Sequence, residues 1–127
     1  MSRPQVTIAQ NGGAVTVRVV EDGHPESIVA AIWQFAPTGE REQLAGEIRR
    51  TRPQVELGSP AGIDGKAFVV DGFVAPFMSD PPSPYRIVLT VLQDGKVLHE
   101  GVPPEHGTGT VGKKAVRFGY SFDVEAV

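Results

Sequence analysis

Apolar and polar positions alternate along much of this chain, most clearly near its end. Val116, Phe118, Tyr120, Phe122 and Val124 alternate with Arg117, Gly119, Ser121 and Asp123. A period of two belongs to a strand with one buried face, because successive side chains leave a pleated backbone on opposite sides. Ala14–Val20 reads the same way, with Val15, Val17 and Val19 on one face and Thr16 and Arg18 on the other. Gln5–Ala9, Gln54–Leu57, Tyr85–Leu92 and Lys96–His99 add further strands. Ile28–Phe35 is apolar on both faces, which suits a central strand or a helix started by Pro25 and Glu26. The β-rich Ile-Val and Trp-Gln-Phe steps, followed by the turn-forming Pro37-Thr38-Gly39, favour the strand.

Turn chemistry supports the same class. Asn11-Gly12, Asp22-Gly23, Asp64-Gly65, Asp71-Gly72 and Asp94-Gly95 are dipeptides that tolerate positive φ and fit tight hairpin turns. Lys66–Val70 and Phe73–Phe77 read as a tight hairpin about Asp71-Gly72, or as one strand carrying a bulge. Glu40–Arg50 is ambiguous. Leu44 and Ile48 suit one face of a short helix at 40–50, Gly46 between them weakens a helix by about 1 kcal/mol relative to Ala, and the charges suit an edge strand. Ser79–Pro84 carries three prolines and reads as a stiff crossing loop. Gly101–Gly112 reads as a loop.

Together these segments predict one domain over residues 1–127: an all-β, antiparallel two-sheet sandwich of about seven or eight strands, immunoglobulin-like or related. A closed barrel is the second choice. Trp33, on a strand apolar on both faces, resembles the core tryptophan of immunoglobulin-type sandwiches. Tyr85, opening a strand after the Pro-rich crossing, resembles a tyrosine corner. The cysteine pair of immunoglobulin domains is missing, so the likeness is one of fold alone.

Composition narrows the classes. The chain has 127 residues, no cysteine and a formal net charge of −3. Disulfides and thiolate chemistry are excluded. The mild acidity argues against nucleic acid as a partner. The longest apolar run, Ile28–Trp33, has six residues, against about 20 for a membrane span. No signal peptide is visible at Met1–Gln5, so a soluble, cytoplasmic chain is the default expectation.

Candidate chemistry is thin. Gly107–Lys114 contains G-x-G-x-x-G and nearly matches a phosphate loop, but such a loop needs a following helix and a Ser or Thr where Lys114 stands. His99, Glu105 and His106 flank Val102-Pro103-Pro104 and would suit a divalent metal if the loop folded back; solvated loop histidines are the plainer reading. His24 falls in a charged turn. Asp123 and Glu125 share a strand face, where two carboxylates are more often solvated than catalytic. Arg49, Arg50 and Arg52 read as an edge guard against sheet-to-sheet aggregation. Phe73, Phe77 and Met78 sit at the mouth of the Pro-rich crossing, beside Tyr85, and either cap the core or form a partner surface.

The expectation is a non-catalytic sandwich that acts through a surface, as a protein-interaction or assembly domain with a protein partner or a second copy and no cofactor. Phe73, Phe77, Met78 and Tyr85 are the candidate contacts, carried by loops Phe73–Pro84 and Val102–Lys113. The alternatives are a small-ligand or carbohydrate-binding sandwich, for which Trp33 and Tyr120 would have to be exposed, and a metal-dependent enzyme centred on His99, Glu105 and His106.

Overall fold

A computed structural model describes residues 3–23, 27–75, 83–112 and 114–127. The chain is nearly all strand: β1 (Gln5–Ile8), β2 (Val15–Gly23), β3 (Ser27–Phe35), β4 (Arg41–Arg49), β5 (Gln54–Gly58), a one-turn helix α1 (Pro60–Ile63), β6 (Ala67–Ala75), β7 (Ser83–Gln93), β8 (Lys96–Gly101), β9 (Thr108–Val111) and β10 (Val116–Ala126). Two five-stranded sheets pack as a sandwich. One has the order β1-β10-β6-β3-β4. The other has the order β5-β2-β7-β8, with β9 also pairing β7. Every pairing is antiparallel except that of β1 with β10, which is parallel. No helix among the described residues is long and apolar enough to cross a membrane.

The alternating residues fill the space between the sheets. Val15, Val17 and Val19 of β2 and Phe118, Tyr120, Phe122 and Val124 of β10 are buried. Phe122 stands opposite Phe68 of β6, and their rings stack with centroids 5.6 Å apart. Each such side chain removed from water contributes about 1.5–3 kcal/mol.

Asp94-Gly95 makes the expected hairpin turn between β7 and β8. Both residues have positive φ, 51° and 76°, the geometry whose twist matches the flanking strands. Asp71-Gly72 does not turn the chain. β6 runs straight through it, pairing β3 on one side and β10 on the other. The glycine serves a close approach instead: a Cβ at Gly72 would lie 2.5 Å from the Val29 carbonyl oxygen and 2.6 Å from the Ala30 Cβ. Asp22-Gly23 likewise ends β2 in strand geometry, paired with Arg86 and Tyr85.

Residues 40–50 form an edge strand rather than a helix. The helix-like spacing of Leu44 and Ile48 has a different cause. Two bulges interrupt β4 against β3, one between the Ile32–Gly46 and Trp33–Leu44 pairs and one between Gln34–Gln43 and Phe35–Arg41. The first bulge moves the chain to the opposite face, so Ile48 is buried and Leu44 is exposed. The strand count also exceeds the expected one. β4 was left ambiguous by its helix-like Leu44–Ile48 spacing, and β9 lies in a Gly/Thr stretch with little apolar alternation.

Trp33 is a correction. Its neighbours Ile32 and Gln34 point into the sandwich, so Trp33 points to the outer face of its sheet and is half-buried there. It is not a core tryptophan. Tyr120 does face inward, as expected, and is buried.

Candidate functional site

An outward-facing residue in a two-layer sandwich normally meets water, so polar residues are expected there. The two central strands of the first sheet break this pattern. The outward positions of β3 hold Val29, Ala31, Trp33 and Phe35, and those of β6 hold Ala67, Val69, Asp71 and Phe73. Register sets Val29 beside Phe73, and Trp33 between Val69 and Leu44. Phe73 is 50% exposed, Leu44 43% and Val29 39%. Nearest neighbours across strands lie within about 5.5 Å, so Phe73 and Val29 form one continuous apolar strip.

Charges frame this strip in pairs. Arg117, opposite Phe73 on β10, donates from Nε and Nη2 to the two Asp71 carboxylate oxygens, both at 2.9 Å. The hydrogen bond first, and then the nearby charge, raises the guanidinium pKa above its ordinary value. On the other side Arg49, opposite Val29, holds Glu47 at 3.2 Å. The Arg41 guanidinium lies 4.5 Å from the Trp33 ring centroid. This cation–π contact covers part of the only indole in the chain. Trp33 therefore points outward but is not a bare platform for a sugar ring.

The remaining sequence candidates separate. Tyr85 is in the core, and its hydroxyl donates to the His106 carbonyl at 2.7 Å. It fastens the 102–107 loop from within and offers no outer contact surface. Phe77 and Met78 lie outside the described residues, as do His24 and Lys113. His99 is on β8 and points between the layers, where its Nε2 and the Tyr120 hydroxyl hydrogen-bond at 2.7 Å. Burial pushes the Tyr85 and Tyr120 phenols up. Glu105 and His106 instead line a surface cleft beside Asp71, Arg117 and Gly119. The three proposed metal ligands thus do not converge, and among the described residues no group of three His, Asp or Glu side chains is placed to hold a metal ion. The glycine-rich stretch forms β9, paired with β7, and leads into β10 rather than a helix. It has no helix N-terminus to offer a phosphate.

A second polar cluster lies where β3 meets β4. Gln34, buried at the inner face, donates to Glu42 Oε1 at 2.9 Å, and Lys66 Nζ donates to Oε2 at 2.9 Å. The Gln34 hydrogen bond, then that of Lys66, holds the Glu42 carboxyl below its usual 4.5. A lowered folded pKa contributes stability that is complete above the unfolded value and is lost as pH falls through the folded one. Replacing Glu42 with Gln should therefore lower stability at neutral pH and leave it less dependent on pH below 4.5. Urea unfolding across the acid range checks this, and an unchanged acid limb would contradict it.

Val29 was not singled out from sequence, Leu44 was read only as part of an ambiguous segment, and Trp33 was read as facing the core. The signal was present in β3: an element apolar on both faces must expose one of them unless a further layer covers it. The chain matches no known family, and neither a characterised protein nor a solved structure matches it.

Proposed function

We propose that this chain is a non-catalytic β-sandwich that works as an assembly module, binding a second copy of itself through the outer face of β3 and β6. The observation that carries the reading is the apolar strip of Phe73 and Val29, extended by Leu44, on a face that would otherwise be polar. Its layout matches a contact surface, with an apolar centre and a charged rim. The rim also favours a like partner. Arg117 is neutralised by Asp71 and Arg49 by Glu47 within the same patch, so the surface carries both signs and little net charge. Such a patch can pack on itself across a two-fold axis.

Sedimentation velocity over a range of concentrations tests this. The wild-type chain should associate, and Phe73→Asp should weaken association at least about tenfold, as loss of a central aromatic contact does. Its stability should change by only about 0.5 kcal/mol, because the ring is half exposed. Val97→Asp, at an exposed position on β8, should associate like the wild type. A wild-type chain that stays monomeric throughout would overturn the reading.

A further inference from the structure

We infer that the open half-edge of β10 at Arg117–Ser121 binds an extended peptide by strand addition. This site is separate from the sheet-face contact and does not depend on it.

The edge follows from the hydrogen-bond pattern. β10 pairs with β6 along Val116–Asp123, but with β1 only from Asp123 onward. The Val124 amide bonds to Lys66 on the β6 side, whereas the Asp123 amide bonds to the Pro4 carbonyl on the β1 side. Backbone groups alternate along a strand, so those of Arg117, Gly119 and Ser121 point the same way as those of Asp123, toward the β1 side. Among the described residues no backbone group meets them there. Pro4 removes one bond from this ladder. In a parallel ladder the next bond would run from the amide of residue 4 to the Ser121 carbonyl, and proline has no amide hydrogen.

The space beside this edge is shaped. A cleft of about 610 Å³ lies there, lined by Arg3, Pro4, Val102, Pro104, Tyr120 and Ser121. A second cleft of about 530 Å³ continues it past Gly119 to Arg117, with Glu105 and His106 on its lip. The two share Val69 and Gly119. Residues of the 102–106 loop line both clefts together with the edge, so an incoming chain has to enter between loop and strand, as a single extended strand can. Arg117 is already paired with Asp71, and Arg3 with Asp123. No ion pair among the described residues holds Glu105. The complementary ligand is therefore an extended peptide with apolar residues at alternate positions and a Lys or Arg that reaches Glu105. Backbone bonds would supply affinity and the side chains selectivity.

The test uses the full ¹⁵N-labelled chain and the peptide acetyl-Lys-Val-Thr-Val-Thr-Val-Lys-amide. The peptide should shift the resonances of Arg117–Ser121 and Val102–His106, and slow hydrogen exchange at the Gly119 and Ser121 amides. The same peptide N-methylated at alternate residues should bind at least about tenfold more weakly, since each lost backbone bond costs on that order. Gly119→Pro removes an amide that faces the open edge and should weaken binding similarly. If that variant fails to fold, the N-methylated peptide decides. Leu44→Asp, which alters the sheet face on β4 away from β10, should bind the peptide like the wild type, which separates this inference from the sheet-face contact. No shift at these residues, equal binding of the N-methylated peptide, or protection of the two amides by protein concentration alone would each overturn it. The last would assign the edge to a second copy.

Discussion

Phe122→Ala is expected to destabilise the fold by about 3–5 kcal/mol in urea unfolding. Phe122 is fully buried at the middle of the interlayer space. Its ring stacks on Phe68 of the neighbouring strand. Truncation removes the transfer free energy of the ring and leaves a cavity between two sheets whose backbones are each tied to further strands. Collapse to fill that cavity would have to strain the β6–β10 ladder, so little relaxation is available. Against a total stability of about 5–15 kcal/mol for a domain, the loss is large enough to shift the midpoint strongly or to unfold the chain. A cost below about 1 kcal/mol would mean that the interior is not close-packed at this point.

Gln93→Leu is expected to cost about 2–4 kcal/mol although it preserves the volume of a buried side chain. Gln93 ends β7 and is only 4% exposed. Its Oε1 accepts from the Ala9 amide at 2.9 Å, and its Nε2 donates to the Ala9 carbonyl at 2.9 Å and the Gly13 carbonyl at 3.1 Å. The side-chain amide thus stands in for a strand backbone and ties the β1–β2 connection to the opposite sheet. Leucine would orphan the Ala9 amide and the Gly13 carbonyl, while the Ala9 carbonyl keeps the Gly12 amide at 3.1 Å, and each orphaned group costs about 1–3 kcal/mol where water cannot replace the bond. The connection is partly exposed, which keeps the sum toward the lower end. Hydrogen exchange at the Ala9 amide gives a local check. It should be protected in the wild type and fast in the variant. An unchanged rate with unchanged stability would show that the bridge contributes nothing.

Much of the architecture was legible because it rests on local chemistry. The alternating valines of β2, the alternating aromatics of β10 and the Asp94-Gly95 turn each state their geometry within a few residues. β4 was not legible. Its two bulges break the period of two, and the resulting spacing of Leu44 and Ile48 imitates a helix. Asp71-Gly72 carries the composition of a turn, but β6 continues because β3 and β10 pair with it on both sides. The small side chain is needed there for the approach of β3, which is a requirement of tertiary packing.

The candidate surfaces divide in the same way. Phe73 was read as either a core cap or a partner contact, and the structure leaves it half exposed on the outer face of β6. Tyr85 and His99 were candidates for outer chemistry, but the Tyr85 hydroxyl and the His99 Nε2 are engaged within the fold. The unpaired stretch of β10 among the described residues is invisible in sequence because it depends on which residues of the distant β1 pair with it.

The sequence by itself determined that this chain pairs strands, where most of them lie and which side chains share a face, because pleat and turn geometry act over a few neighbouring residues. Only the tertiary structure decided which faces are covered, which edges remain open and which polar groups meet. Those outcomes depend on pairings between residues far apart in the chain, and a periodic pattern describes two faces of a strand without saying which one another layer will bury.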